Sequence, residues 1–209
     1  EEPEVTTAKL ESNLFTTELA SYSTTGGGSE GRRTNISLAV QSCNGVILLP
    51  GETFSYNDVL GERTADKGYQ PAGAYSDGEV VEQLGGGICQ VSSTLFAAVL
   101  HTDLEIITRA NHSMPVSYLP MGMDATVSWG GPEFKFKNNF AYPIKISASY
   151  SGGTITFKIL GAASDKKKIE VEIKKTGEMG AETYRKYYDE NGNVTSTKRV
   201  ARSNYKPHS

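Results

Sequence analysis

The sequence predicts an α+β fold: a few short helices packed on a mainly antiparallel sheet, with a C-terminal β-hairpin appendage. Helical spacing of apolar residues is confined to two early stretches, around 36–43 and 88–101. Beyond residue 104 the apolar runs shorten to strand length. Short turns such as Ser151-Gly152-Gly153 and Asn191-Gly192 then separate neighbouring runs, as hairpins require.

Residues 1–13 are acidic, Thr-rich and without an apolar face, so they are expected to be a linker. They lack the basic start and apolar middle of a signal peptide, and the first residue is Glu rather than Met. A fragment of a longer protein is the expectation. Residues 14–23 alternate loosely and break in Gly26-Gly27-Gly28-Ser29, read as a flexible loop. Thr34 or Asn35 can cap a short helix carrying Ile36, Ala39, Val40 and Cys43 on one face. Asn44-Gly45 stops it, because both residues tolerate the left-handed conformation.

Residues 46–49 form a buried-type strand, 54–57 a short extended piece, and a polar, Gly-punctuated loop follows. Gly85-Gly86-Gly87 opens the strongest helix, 89–101, with Ile88, Val91, Leu95, Ala98 and Val99 on its apolar face. Strands are expected at 104–109, 125–129, 134–137, 144–150 and 154–159. After the polar joint at 164–168 comes another strand at 169–174. A hairpin of 183–188 and 194–200 ends the chain. The implied organisation is a linker (1–13), a main domain (14–162) and a tail (163–209) too small to bury a core alone.

Composition removes several function classes. The 209 residues carry 21 Lys+Arg against 24 Asp+Glu, for a net charge of −3 with no basic block. That argues against nucleic acid or an anionic membrane as the main partner. No apolar run approaches the roughly 18 residues of a membrane span. Two cysteines, Cys43 and Cys89, are too few for a disulfide scaffold or a Cys-rich zinc site, and no motif calls for a cofactor.

The chemical signal is Gly85-Gly86-Gly87-Ile88-Cys89-Gln90-Val91-Ser92-Ser93-Thr94-Leu95. A cysteine at a helix N-terminus meets unpaired N–H groups and positive partial charge, which favour its thiolate. The same groups can hold an oxyanion. His101 falls about 18 Å away at the far end of the helix, too far to act as base. His208 lies near the chain end. His112 remains: a strand of roughly 26 Å, returning antiparallel to the helix, brings it back to Cys89. Asp124 can then orient the imidazole.

Each residue also has a plainer reading. Cys89 can be a small buried residue, His112 a structural hydrogen-bonder, and Asp124 a turn cap. A Cys43–Cys89 disulfide and a Cys89/His112/Asp124 metal site are further alternatives, the latter without tight ligand spacing. Ser92 and Ser93 have no separate base, which weakens a serine hydrolase.

The Gly85–Leu95 segment with Phe96 resembles the signature of the VanW family, named for an accessory gene of inducible vancomycin-resistance clusters. Upstream, Tyr22-Ser23-Thr24, Arg33-Thr34-Asn35-Ile36, the run from Leu49-Pro50-Gly51 to Tyr56-Asn57, and Gly68-Tyr69-Gln70-Pro71-Ala72 resemble family blocks in order. Downstream, Arg109-Ala110-Asn111-His112-Ser113, Val116-Ser117-Tyr118, Gly122-Met123-Asp124-Ala125-Thr126-Val127 and Phe136-Lys137-Asn138-Asn139 do the same. The closing Ser203-Asn204-Tyr205-Lys206-Pro207 is similar to the usual end of such proteins. The resemblance implies a bacterial envelope protein, extracellular at the cell surface and held by an N-terminal anchor. Its implied partner is peptidoglycan or its peptide precursors, and it supplies no settled reaction.

Two functions stand side by side. As an enzyme, Cys89 attacks an amide or ester carbonyl of a stem peptide, with His112 as base and Asp124 as orienter. Hydrolysis and transpeptidation are both open outcomes. Gly86, Gly87, Gln90, Ser92, Arg109 and Tyr118 are the expected substrate contacts. Gln83 lies six residues before Cys89, as the oxyanion-hole glutamine does in papain-like proteases. As a binding module, the same Gly-rich groove, Arg109 and the tyrosines Tyr56, Tyr69, Tyr75 and Tyr118 hold a wall peptide or glycan without chemistry.

Overall fold

The computed structural model describes residues 14–76 and 79–207. The linker at 1–13 and His208 lie outside the described residues, as does the side chain of Tyr75. The fold is α+β with antiparallel sheets throughout.

Strand β1 (Thr17–Thr25) leads into helix α1 (Glu30–Cys43), capped by the Ser29 hydroxyl, which accepts from Arg32 N–H. The cap lies several residues before Thr34 and Asn35, because the triple-glycine loop leaves room for an extra turn. Asn35, Ile36, Ala39, Val40 and Cys43 form the buried face. Short strands β2 (Ile47–Leu48) and β3 (Thr53–Ser55) precede a one-turn helix α2 (Tyr56–Leu60) and a 3-10 turn at Ala65–Lys67. Two further strands, β4 (Pro71–Ser76) and β5 (Glu79–Leu84), pair where the sequence suggests only loop. Their glycines and charged residues blur the alternation that marks a strand.

Helix α3 (Ile88–Leu100) is the axis of the molecule. It packs on β1, on α1 and on β9 (Thr154–Gly161). Every residue of α3 except Cys89 is buried. Each large apolar side chain sealed in this way contributes about 1.5–3 kcal/mol. Gly86 admits the close approach of β4 just before the helix: a Cβ there would lie 2.3 Å from the Ala72 carbonyl oxygen.

One sheet has the order β1-β9-β8-β2, with β8 spanning Ile144–Ser151. Along β9, Ile155, Phe157 and Ile159 point inward, the period-two pattern of a half-buried strand. A second sheet, β3-β7-β6, joins β6 (Glu105–Thr108) and β7 (Lys135–Lys137). Residues 125–129, expected as a strand, make only the isolated bridge Ala110–Thr126. The reason is local. Ser92 Oγ donates to the Ala125 carbonyl at 2.7 Å and Ser93 Oγ accepts from Ala125 N–H at 3.0 Å. Hydroxyls of α3 thus take the backbone groups that a neighbouring strand would use.

The tail forms a three-stranded sheet, β10 (Lys168–Lys175), β11 (Gly180–Tyr188) and β12 (Val194–Asn204). It is bonded to the rest of the molecule. The Arg185 guanidinium donates to the carbonyls of Val99, Leu100 and Leu104, each at 2.9 Å. Val99 and Leu100 end α3 and Leu104 lies just beyond it, where a cation complements the helix dipole.

Candidate active site

Cys89 stands in the first turn of α3, after the N-cap Gly87, whose φ of +105° favours a residue without a side chain. Asn35, buried on α1, holds this entrance in place: its amide donates to the Gly86 and Gln70 carbonyls and accepts from Gln70 N–H. The partly exposed thiol sits 3.3 Å from the Val127 carbonyl oxygen and 3.7 Å from Thr126 Oγ1. Cys43, in contrast, is fully buried at the end of α1, and both thiols are free.

His112 approaches Cys89 from the segment after β6, close enough for each side chain to shift the other's ionisation. Asp124 fixes the ring from behind. Its Oδ2 accepts from His112 Nδ1–H at 2.7 Å and from His112 backbone N–H at 2.7 Å. With Nδ1 committed, Nε2 is left for the sulfur. The other carboxylate oxygen, Oδ1, accepts from Arg109 Nη2 at 3.0 Å and from the Tyr205 hydroxyl. Arg109 also bonds Ser203 Oγ at 2.7 Å, so β12 and the residue after it share in holding the acid. Among the described residues, no group of three or more His, Cys, Asp or Glu is arranged to hold a metal ion.

The charges follow from these contacts. Burial opposes ionisation of Cys89, but the His112 hydrogen bond and the imidazolium charge outweigh it and hold the thiol below its ordinary value. Burial likewise disfavours a charged His112. The Asp124 and Cys89 contacts win, and its pKa is pushed up to about 9. Desolvation of Asp124 is overcome by His112 and Arg109, which hold its carboxyl below the usual carboxylate range. The arrangement therefore favours a thiolate–imidazolium pair over a neutral thiol and imidazole. Burial drives Cys43 the other way, well above the usual thiol range.

Other sequence candidates take different places. His101 closes α3 at its far end, bonded to the Ala97 carbonyl and stacked on Tyr22. Ser92 is sealed, its hydroxyl donating to Ala125 and Cys89 carbonyls. Arg109 is 4 % exposed at its side chain and paired with Asp124. Gly86 and Gln90 are buried too, and Gln90 bonds Arg32 and Thr24. The N–H groups of Ile88 and Gln90 are engaged by the Gly85 and Gly87 carbonyls. Tyr118 is partly exposed, and burial of its hydroxyl raises its pKa. Gln83 is exposed on β5. Tyr56 and Tyr69 are core residues.

Two residues at the site escape a reading of the sequence. Tyr205 belongs to a tail block with no chemical pattern of its own, and Arg32 sits in an ordinary helix start. No described helix is long and apolar enough to cross a membrane.

The chain is 46 % identical over 149 residues to the "Uncharacterized protein YoaR" of Bacillus subtilis (strain 168), covering 71 % of this chain and 49 % of that protein. It is 35 % identical over 135 residues to the "Vancomycin B-type resistance protein VanW" of Enterococcus faecalis (strain ATCC 700802 / V583), covering 60 % of this chain and 49 % of that protein. It thus spans about half the length of the curated relatives it matches. No solved structure matches it. The family model described as "VanW like protein" matches residues 31–160, a stretch that contains Cys89, His112 and Asp124, and the chain belongs to the VanW-like family.

Proposed function

We propose that the chain is a cysteine-dependent hydrolase or transpeptidase of the bacterial cell envelope, acting on amide or ester bonds of peptidoglycan stem peptides. One observation carries the reading. Cys89, the only residue of α3 that is not buried, lies close enough to His112 for each to shift the other's ionisation, and a buried carboxylate orients that histidine. A purely structural cysteine needs no such partner. The envelope setting and the peptidoglycan substrate rest on the likeness to a relative named as a vancomycin-resistance protein.

In the proposed reaction the Cys89 thiolate attacks the substrate carbonyl carbon, and the C–O π electrons move onto oxygen. The developing oxyanion faces the positive end of α3, with the Cys89 N–H as the assigned donor. Protonated His112 gives its proton to the departing amine or alcohol as the carbonyl re-forms, leaving a thioester on Cys89. Neutral His112 then takes a proton from water, or from an acceptor amine. That nucleophile attacks the thioester and releases Cys89. Asp124 keeps Nε2 aimed at the reacting atoms throughout and stabilises the imidazolium.

The test is digestion of purified muropeptides by wild type and Cys89→Ala, read by mass spectrometry. New products from wild type alone are expected. Identical muropeptide profiles with bound ligand in both proteins would replace the enzyme with a wall-binding module.

A further inference from the structure

Resting on that site, the structure also points to the chemical class of its substrate. Arg32 lies in the first turn of α1, where a cation opposes the helix dipole. Its side chain crosses the N-terminus of α3 as well. A Cβ on Gly87 would lie 2.9 Å from Arg32 Cγ and 3.3 Å from Nη1, two residues before Cys89. The guanidinium is therefore set against the positive ends of two helices. Stability alone gives no reason for that placement.

The side chain is held firmly nonetheless. Nη2 donates to Gln90 Oε1 at 2.8 Å, Gln90 Nε2 donates to Thr24 Oγ1 at 3.1 Å, and Thr24 shares a 2.7 Å bond with Thr94. Glycines wrap the pair. A Cβ on Gly26 would meet the Gln90 amide at 2.6 Å, and one on Gly28 would meet Arg32 Cδ at 2.5 Å. The triple-glycine loop is thus a fitted cover over Arg32 and Gln90. Yet every partner is neutral. Among the described residues no carboxylate pairs with Arg32, whereas Arg109 and Arg199 each have one. Arg32 remains partly exposed.

We propose that Arg32 is the carboxylate-binding residue of the Cys89 site, so that the preferred substrates are peptides bearing a free carboxylate near the scissile carbonyl. A guanidinium fork matches a carboxylate in two parallel hydrogen bonds. The positive ends of the two helices strengthen its pull on an anion. Tyr118 lies within electrostatic reach of both Cys89 and Arg32.

The test uses two alkylating probes of nearly equal size, anionic iodoacetate and neutral iodoacetamide. With either probe the Cys89 sulfur forms the new S–C bond as the C–I bond breaks and iodide leaves. Rates at Cys89 are read by peptide mapping, and the quantity followed is the iodoacetate-to-iodoacetamide ratio. Arg32→Gln is expected to lower that ratio about tenfold, and Arg32→Lys, which keeps the charge but loses the fork, to lower it less. A ratio unchanged in a folded Arg32→Gln overturns the carboxylate subsite and leaves the nucleophile standing. Wild-type Cys89 reacting no faster than in the unfolded chain overturns the nucleophile itself, and the subsite with it. If Arg32→Gln does not fold, Arg32→Lys decides by substrate: muropeptides with carboxylates amidated one at a time should lose their KM advantage at the carboxylate read. Separate amidation of the terminal and side-chain groups tells which one that is. Equal KM for all amidated forms overturns the proposal.

Discussion

The two ends of α3 follow opposite electrostatic rules. At the C-terminal end Arg185 meets three carbonyls, a cation placed where the helix dipole favours it, and the surroundings are sealed. At the N-terminal end Arg32 opposes the dipole, its partners are neutral, and Cys89 reaches solvent. One end is organised for stability. The other holds a guanidinium that no carboxylate among the described residues pairs with, which is the expected state of a surface awaiting an anionic group.

The sharpest way to break this contrast is at the thiol. Between pH 6 and 7.5, iodoacetamide should label Cys89 at least about a thousandfold faster than Cys43. Cys89→Ala should remove labelling of the folded protein and all product formation, with stability within about 1 kcal/mol of wild type. Equal labelling of the two cysteines would erase the distinction between the ends.

Next in size is His112→Ala. Burial then acts on Cys89 without its partner, so the thiol pKa should rise and labelling at pH 7 should fall about a hundredfold. Stability should respond with a defined sign. The folded-state pKa of His112 is raised from 6.5 to about 9. Its stabilising contribution is therefore complete below about pH 6.5 and lost as pH rises through about 9. The Tm difference between wild type and His112→Gln should shrink across that window. A difference that widened from pH 6.5 to 10 would contradict the ion pair.

At the opposite end, Arg185→Met leaves three carbonyls without their donor and should cost about 3 kcal/mol in urea unfolding. The pH profile of Cys89 labelling in the folded fraction should not move. A change in that profile would mean that the two ends are not independent. The smallest effect is expected from Tyr205→Phe, which removes one of several bonds to Asp124. A loss of about 1 kcal/mol in stability should accompany a few-fold fall in Cys89 labelling, while His112 retains its raised pKa by NMR titration.

What could be read from the sequence tracks the range of the forces involved. The α+β class follows from periodicity, which is local, and so do β8, β9 and the face of α1. The meeting of Cys89 and His112 follows from chain length: a helix and a returning strand must end near where they began. Failures occur where distant groups decide. Residues 125–129 lose their strand character to two hydroxyls on α3. The position of Arg32 depends on glycines at 26, 28 and 87, whose spaces interlock only after folding. Tyr205 finds Asp124 across 81 positions of chain, beyond any local pattern.

The burial of α3 bears finally on how the site can move. A helix enclosed on every side except at one sulfur should contain the slowest-exchanging amides in the molecule, opening only when the whole structure does. The nucleophile would then ride on the stiffest element available and lose little freedom on reaching the transition state. In the proposed reaction, adjustment would then fall to the glycine loop over Arg32 and to the incoming peptide.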